Sequence, residues 1–242
     1  MSTQQTFTAP QPRTAHWSSL YRTAAIVTLI SVALMPVQLV VYIVWPPPAT
    51  VVGFFQVFQQ NALRGLLNLD LLYILNNIFL IPLYLGLHIA LRKGAESLAT
   101  LALATGLVGV AAYFSTNPAF EMLSLSNGYF AATTDAGRAL YLAAGESMLA
   151  SYTGTAFNVY YILNAVALLL FARVMFRSNI FSHTTAWAAL AAGVLMLVPS
   201  SAGAPGMIFA MASLLPWAIF SVLVALRLLR LADTGDGPAT RE

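Results

Sequence analysis

Residues 69–93 read LDLLYILNNIFLIPLYLGLHIALRK. The stretch is long enough to cross a bilayer, for which about 20 apolar residues suffice. It nevertheless carries an aspartate, two adjacent asparagines, a proline and a histidine. Asp70, Tyr73, Asn77, Tyr84 and His88 follow steps of three, four, seven and four, so they lie along one stripe of a single helix. The opposite face is leucine, isoleucine and phenylalanine. Side-chain amides bared to lipid cost several kcal/mol, so the stripe is expected to face other helices or a wet cavity. Asn76 and Asn77 point about 100° apart and are expected to meet different neighbours. Each amide has two readings: a bond across helices, contributing about 0.6–2 kcal/mol, or contact with a ligand or ion. The rest of the chain is expected to pack around this helix.

The composition agrees with a membrane protein. Apolar residues make up 59% of the 242 and charged residues 8%, with a mean hydropathy of +0.78. Soluble domains carry about 25% charged residues. Cysteine is absent, which excludes disulfides, thiolate nucleophiles and cysteine-held metals. No basic run is interleaved with aromatics, so nucleic-acid binding has no support.

Outward from the central stretch the pattern predicts an all-α polytopic bundle of six transmembrane helices. Residues 1–19 read as a polar, disordered tail. The block behind it, 24–45, is too long for the h-region of a signal peptide and is expected to be the first span, bent at Pro36. Trp45 suits the interface and Pro46, Pro47 and Pro48 stop the helix. In 51–67, Gly53, Gln56, Gln60 and Arg64 recur at helical spacing opposite Phe54, Phe55 and Phe58, which predicts one interfacial amphipathic helix. The central helix follows, with Asn68 or Asp70 as its cap. The third span, 95–114, presents Ala95, Ala99, Ala102, Gly106 and Gly109 on one face for close packing. Residues 115–152 predict a helical hairpin: Asn117-Pro118 starts the first helix, Asn127-Gly128 ends it, and Thr134-Asp135 starts the second. The remaining spans are 154–176, 184–198 and 207–229, and 232–242 is a polar tail. The membrane domain thus covers 20–231.

Basic residues orient these spans. Nine of the eleven, namely Arg13, Arg22, Arg92, Lys93, Arg173, Arg177, Arg227, Arg230 and Arg241, fall on one side, and Arg64 and Arg138 on the other. By the positive-inside rule both termini are cytoplasmic, and the interfacial helix and hairpin are extracytoplasmic.

Residues 129–181 carry Ala131-Ala132-Thr133-Thr134, Arg138, Ala143-Ala144-Gly145-Glu146, Gly154-Thr155-Ala156-Phe157 and the turn from Arg177 to Phe181. With LDLLYILNN at 69–77, they make the chain resemble a family of prokaryotic multi-pass membrane proteins known as domain of unknown function 4386. The resemblance covers nearly everything after the N-terminal tail. It implies a plasma-membrane location and supplies no activity or site residues.

Function is therefore argued from the residues. Asp70, Tyr73, Asn76 and Asn77 on the second span, and Asn158, Tyr161 and Asn164 on the fourth, fall at similar depths below the outer surface. If the two helices are neighbours, they line an outward-facing polar vestibule. Glu121, Asp135, Arg138 and Glu146 would stand at its rim. Mostly apolar pockets with a few convergent polar groups are binding sites by default. The expected occupant is a small amphipathic molecule, a lipid or a membrane partner, with the lipid bilayer as the standing partner. A metal site wants histidine beside carboxylates, but His16, His88 and His183 are expected at the cytoplasmic side, away from most acids. No metal, cofactor or catalytic residue is assigned. Two alternatives remain: a small-solute transporter, with Asp70 as its ionisable group, and a membrane-embedded hydrolase using Glu121, Asp135 and Glu146.

Overall fold

The structure is a computed structural model that describes residues 17–234. Residues 18–19 and 232–234 already belong to helices; residues 1–16 and 235–242, with Arg13, His16 and Arg241, lie outside the described residues. Ten helices follow in order: α1 (Ser18–Val44), α2 (Val51–Gln60), α3 (Ala62–Asn68), α4 (Leu71–Leu91), α5 (Glu96–Thr116), α6 (Ala119–Ala131), α7 (Asp135–Tyr152), α8 (Thr155–Met175), α9 (His183–Leu195) and α10 (Gly203–Thr234). Five helical runs are long and apolar enough to cross a membrane: α1, α4, the run Glu96–Ala131 containing α5, the run Asp135–Met175 containing α8, and α10. The protein is a multi-pass helical membrane protein.

Hydrogen bonds fix the path of the chain. Ser18 Oγ donates to Ala232 O at 2.8 Å and Arg22 pairs with Asp233 at 3.0 Å, so α1 begins beside the end of α10. Arg227 Nε donates to Ile180 O, which puts the turn after α8 at this same end. Asp70, at the start of α4, bonds Tyr42 near the end of α1 and Tyr152 at the end of α7, at the opposite end. The helix α9 is short. Its 13 residues rise about 20 Å, less than the hydrocarbon thickness of about 30 Å. The irregular segment 196–202 follows it, and Ser201 Oγ donates to Asn158 near the start of α8.

Small residues set the packing at the end that joins α1 to α10. A Cβ added at Gly86 would lie 3.1 Å from Ala24 and 3.4 Å from Leu228, so α1, α4 and α10 meet there at backbone distance. The small-residue face of α5 works similarly. A Cβ at Gly106 would stand 2.6 Å from the Tyr84 ring, and one at Gly109 would stand 2.4 Å from the Asn164 amide. The face is thus a slot that admits one large side chain from α4 and one from α8.

At the Asp70 end, α2, α3, α6 and α7 enclose a smaller core of Phe54, Phe55, Phe58, Leu69, Ala119 and Met122. The expected single helix over 51–67 is two helices. Asn61 takes extended backbone and its side chain accepts from Arg64 N at 3.0 Å, ending α2 and capping α3. Ser126 Oγ donates to Phe55 O at 2.9 Å and ties α6 to α2. The helix α6 continues through Asn127-Gly128 to Ala131, so that dipeptide is not its stop. The ring of Tyr141 on α7 lies where a side chain on Gly128 would be, 2.3 Å from its Cβ. Thr134 caps α7 by accepting from Gly137 N at 3.1 Å.

Candidate functional site

Asp70 is the residue around which this end is built. It is 9% exposed and has φ 64°, the one positive φ outside glycine among the described residues. Asp and Asn tolerate the left-handed region better than other side chains, so the sharp turn from α3 into α4 suits an aspartate. It occupies the cap position of α4 but makes no capping bond. Its carboxylate instead accepts from Tyr42 on one oxygen and Tyr152 on the other. One side chain thereby clamps α1, α4 and α7. No Lys, Arg or His ion-pairs with it among the described residues. Burial raises its pKa above the ordinary carboxylate value, against the opposing effect of the Tyr152 hydrogen bond.

Beside Asp70 lies a cavity of about 280 Å³. Its walls come from α1 (Met35, Gln38, Leu39, Tyr42), α4 (Tyr73, Asn76, Leu80, Tyr84), α8 (Phe157, Tyr160, Tyr161, Asn164) and α10 (Met207, Met211, Leu214, Trp217). Met196 and Ser200 of the irregular segment close the remaining side. Most of this lining is apolar or aromatic, with the polar groups concentrated on α1, α4 and α8.

The two adjacent asparagines of α4 differ in their bonds. Asn76 accepts from Ser31 of α1 and lines the cavity. Asn77 is 0% exposed; its amide donates to Tyr73 O at 2.9 Å and its Oδ1 has no partner. On α8, Asn164 donates to Tyr160 O at 2.9 Å, and Tyr84 of α4 donates to its Oδ1. Tyr160 OH donates to Tyr73 OH at 2.9 Å. Helices α4 and α8 are therefore neighbours, joined by two tyrosine bridges at different depths.

Of the residues singled out from the sequence, Asp70, Tyr73, Asn76, Tyr161 and Asn164 line this one cavity. Asn77 and Asn158 are not in its lining. Asn158 donates to Gly154 O at 3.0 Å and accepts from Ser201, so it ties α8 to the segment before α10. Glu121, Asp135, Arg138 and Glu146 are exposed on α6 and α7; Asp135 and Arg138 pair with each other at 3.3 Å. At exposed sites such a pair contributes about 0–1 kcal/mol. None of the four is in the lining. No group of three or more metal-ligating side chains occurs among the described residues.

Sequence reasoning missed Gln38, Tyr42, Tyr152 and Trp217. A signal existed for two regions. Gln38 is a lone amide in the apolar run MPVQLVVYIV of 35–44, and such residues inside spans mark interior surfaces. The tetrapeptide YILN occurs at 73–76 and again at 161–164, and the asparagine of each copy lines the cavity.

Comparison with known proteins places the chain only by family. A family model described as "Domain of unknown function (DUF4386)" matches residues 19–231. No curated protein and no solved structure matches.

Proposed function

We propose, for a chain that belongs to the DUF4386 family, that it binds a small amphipathic molecule, without catalysis, in the cavity between α1, α4, α8 and α10. One observation carries this reading. Both amide atoms of Gln38 are buried in the cavity wall, and neither has a hydrogen-bond partner. A buried amide with donor and acceptor both unmade costs several kcal/mol, and a turn of this side chain toward the cavity would let an occupant that offers one of each remove that cost. The rest of the wall is apolar, and the volume is near the lower end of the roughly 300–1,000 Å³ typical of ligand sites. The exposed positions of Glu121, Asp135 and Glu146 favour binding over carboxylate hydrolysis, since they do not converge on this space.

The same reading includes the topology: six crossings of the plasma membrane, both termini cytoplasmic, and the Asp70 end extracytoplasmic. Support comes from two directions. The start of α1 lies against the end of α10, so an even number of crossings joins them, and α9 with 196–202 supplies the one beyond the five long helices. Seven of the nine basic residues among the described residues fall on the termini side. A reporter fused at the C-terminus is expected to be active only as a cytoplasmic reporter, and one inserted near Asn127 only as an exported one; the reverse would contradict the orientation.

Native mass spectrometry of the protein taken from membranes tests the binding. Wild type is expected to retain a bound molecule of constant mass, and Gln38→Leu to lose it while keeping its thermal stability. Equal retention by both proteins would contradict the reading.

A further inference from the structure

The polar wall of the cavity also has a sign. Asp70 is its only charged lining residue, and no Lys, Arg or His contributes to it. Both carboxylate oxygens accept from tyrosine hydroxyls, which spread the charge but do not neutralise it. Buried carboxylates are ordinarily paired with a cation, and no cationic side chain of the described residues is within 4.0 Å of this one. Aromatic residues share the lining with it: Tyr42, Tyr73, Phe157 and Tyr161. Aromatic faces attract ammonium groups, most strongly where water is excluded. Such a wall repels an anionic headgroup.

The opposite part of the cavity has different chemistry. Leu39 of α1 and Met207, Met211 and Leu214 of α10 line it and are 38–53% exposed. They belong to two helices long and apolar enough to cross a membrane. An apolar chain leaving the cavity there enters lipid without crossing a polar surface, and flexible methionines accommodate varied chain shapes.

We infer that the ligand is a cationic amphiphile, with an ammonium head held by Asp70 and the surrounding rings and a single alkyl chain leaving between α1 and α10. This rests on the binding role proposed above and names the chemical class of the occupant. Gln38 supplies an orienting amide alongside the head.

Equilibrium binding to the full chain tests it, in dodecyl maltoside, a detergent without a cation. The probes are radiolabelled decyltrimethylammonium and decanol, which share chain length and differ in charge. Asp70→Asn is the variant of choice: asparagine tolerates the left-handed backbone at this position and still accepts from a tyrosine. Wild type is expected to bind decyltrimethylammonium saturably, and Asp70→Asn at least about tenfold more weakly, the scale of a lost buried charge partner. Decanol is expected to bind both proteins alike. If Asp70→Asn shows a lower melting temperature, the preference of wild type for decyltrimethylammonium over decanol carries the test. Equal decyltrimethylammonium affinity in wild type and a folded Asp70→Asn overturns the cationic head. Saturable decanol binding without preference for the ammonium overturns it too, and leaves the binding role standing. Absence of saturable binding by both probes in wild type overturns the binding role itself. Displacement of the ammonium probe by millimolar sodium chloride, where N-methylglucamine chloride leaves it bound, assigns the carboxylate to a metal ion and overturns the inference.

Discussion

The two ends of this bundle are built from the same pair of helices and differ in what those helices meet. Near the termini, α1 offers Tyr21, Ala24, Ala25 and Thr28 to the interior, all buried, and α10 answers with Phe220, Val224, Ala225 and Leu228. Toward Asp70, the same α1 offers Met35, Gln38 and Tyr42, and α10 offers Met207, Met211 and Leu214. The first set closes; the second encloses a cavity. The change falls near a pair of prolines. Pro36 lies 18 residues after Ser18 and Pro216 lies 16 before Ala232, its neighbour, which is about 27 and 24 Å along straight helices. The two prolines therefore sit at one level. Each removes a helical hydrogen bond there, where the helices cease to seal. Small residues near the termini make close approach possible; larger and polar ones beyond the prolines make space.

Equal truncations at the two ends sharpen this contrast. Leu228→Ala removes a side chain that is 0% exposed among α1, α4 and α10. It is expected to cost about 2–5 kcal/mol, the range for buried leucine in packed cores, read as a large fall in melting temperature in detergent. Gly106→Leu should come next, at about 1–3 kcal/mol, because Tyr84 fills its slot; unchanged melting would mean that the α5 face does not pack as described. Asn77→Leu is expected to change stability by less than about 1 kcal/mol, since it removes an amide whose oxygen already lacks a partner. Met211→Ala, in the cavity lining, should move stability by no more than about 0.5 kcal/mol. A Met211 effect as large as that of Leu228 would erase the distinction between sealed and open ends.

Much of this was legible in one dimension. Blocks of apolar residues located the long helices, because hydrocarbon demands runs of such length. The helical angle between adjacent positions separated Asn76 from Asn77: Asn76 accepts from Ser31 of α1, and Asn77 donates to the Tyr73 carbonyl of its own helix. The small-residue face of α5 was readable because spacing alone defines a face. What was not legible depends on which helices meet. The cavity wall contributed by α1 and α10 joins residues nearly 180 positions apart, Gln38 and Trp217 among them, and no local pattern encodes that pairing. Asp70 was readable as polar and as a helix start. Its use as a clamp required knowing that Tyr42 and Tyr152 arrive there. The break at Asn61 was hidden because the amphipathic spacing runs on through it; the extended backbone and side-chain cap outweighed periodicity.

An electron cryomicroscopy map of the full chain in a lipid nanodisc tests whether the cavity is occupied. Elongated density is expected between α1 and α10, with its inner end within hydrogen-bond reach of Gln38 and beside Asp70, and its outer end between Leu39 and Met211. A map in which α1 and α10 pack against each other along their whole length, with no density inside, would contradict it.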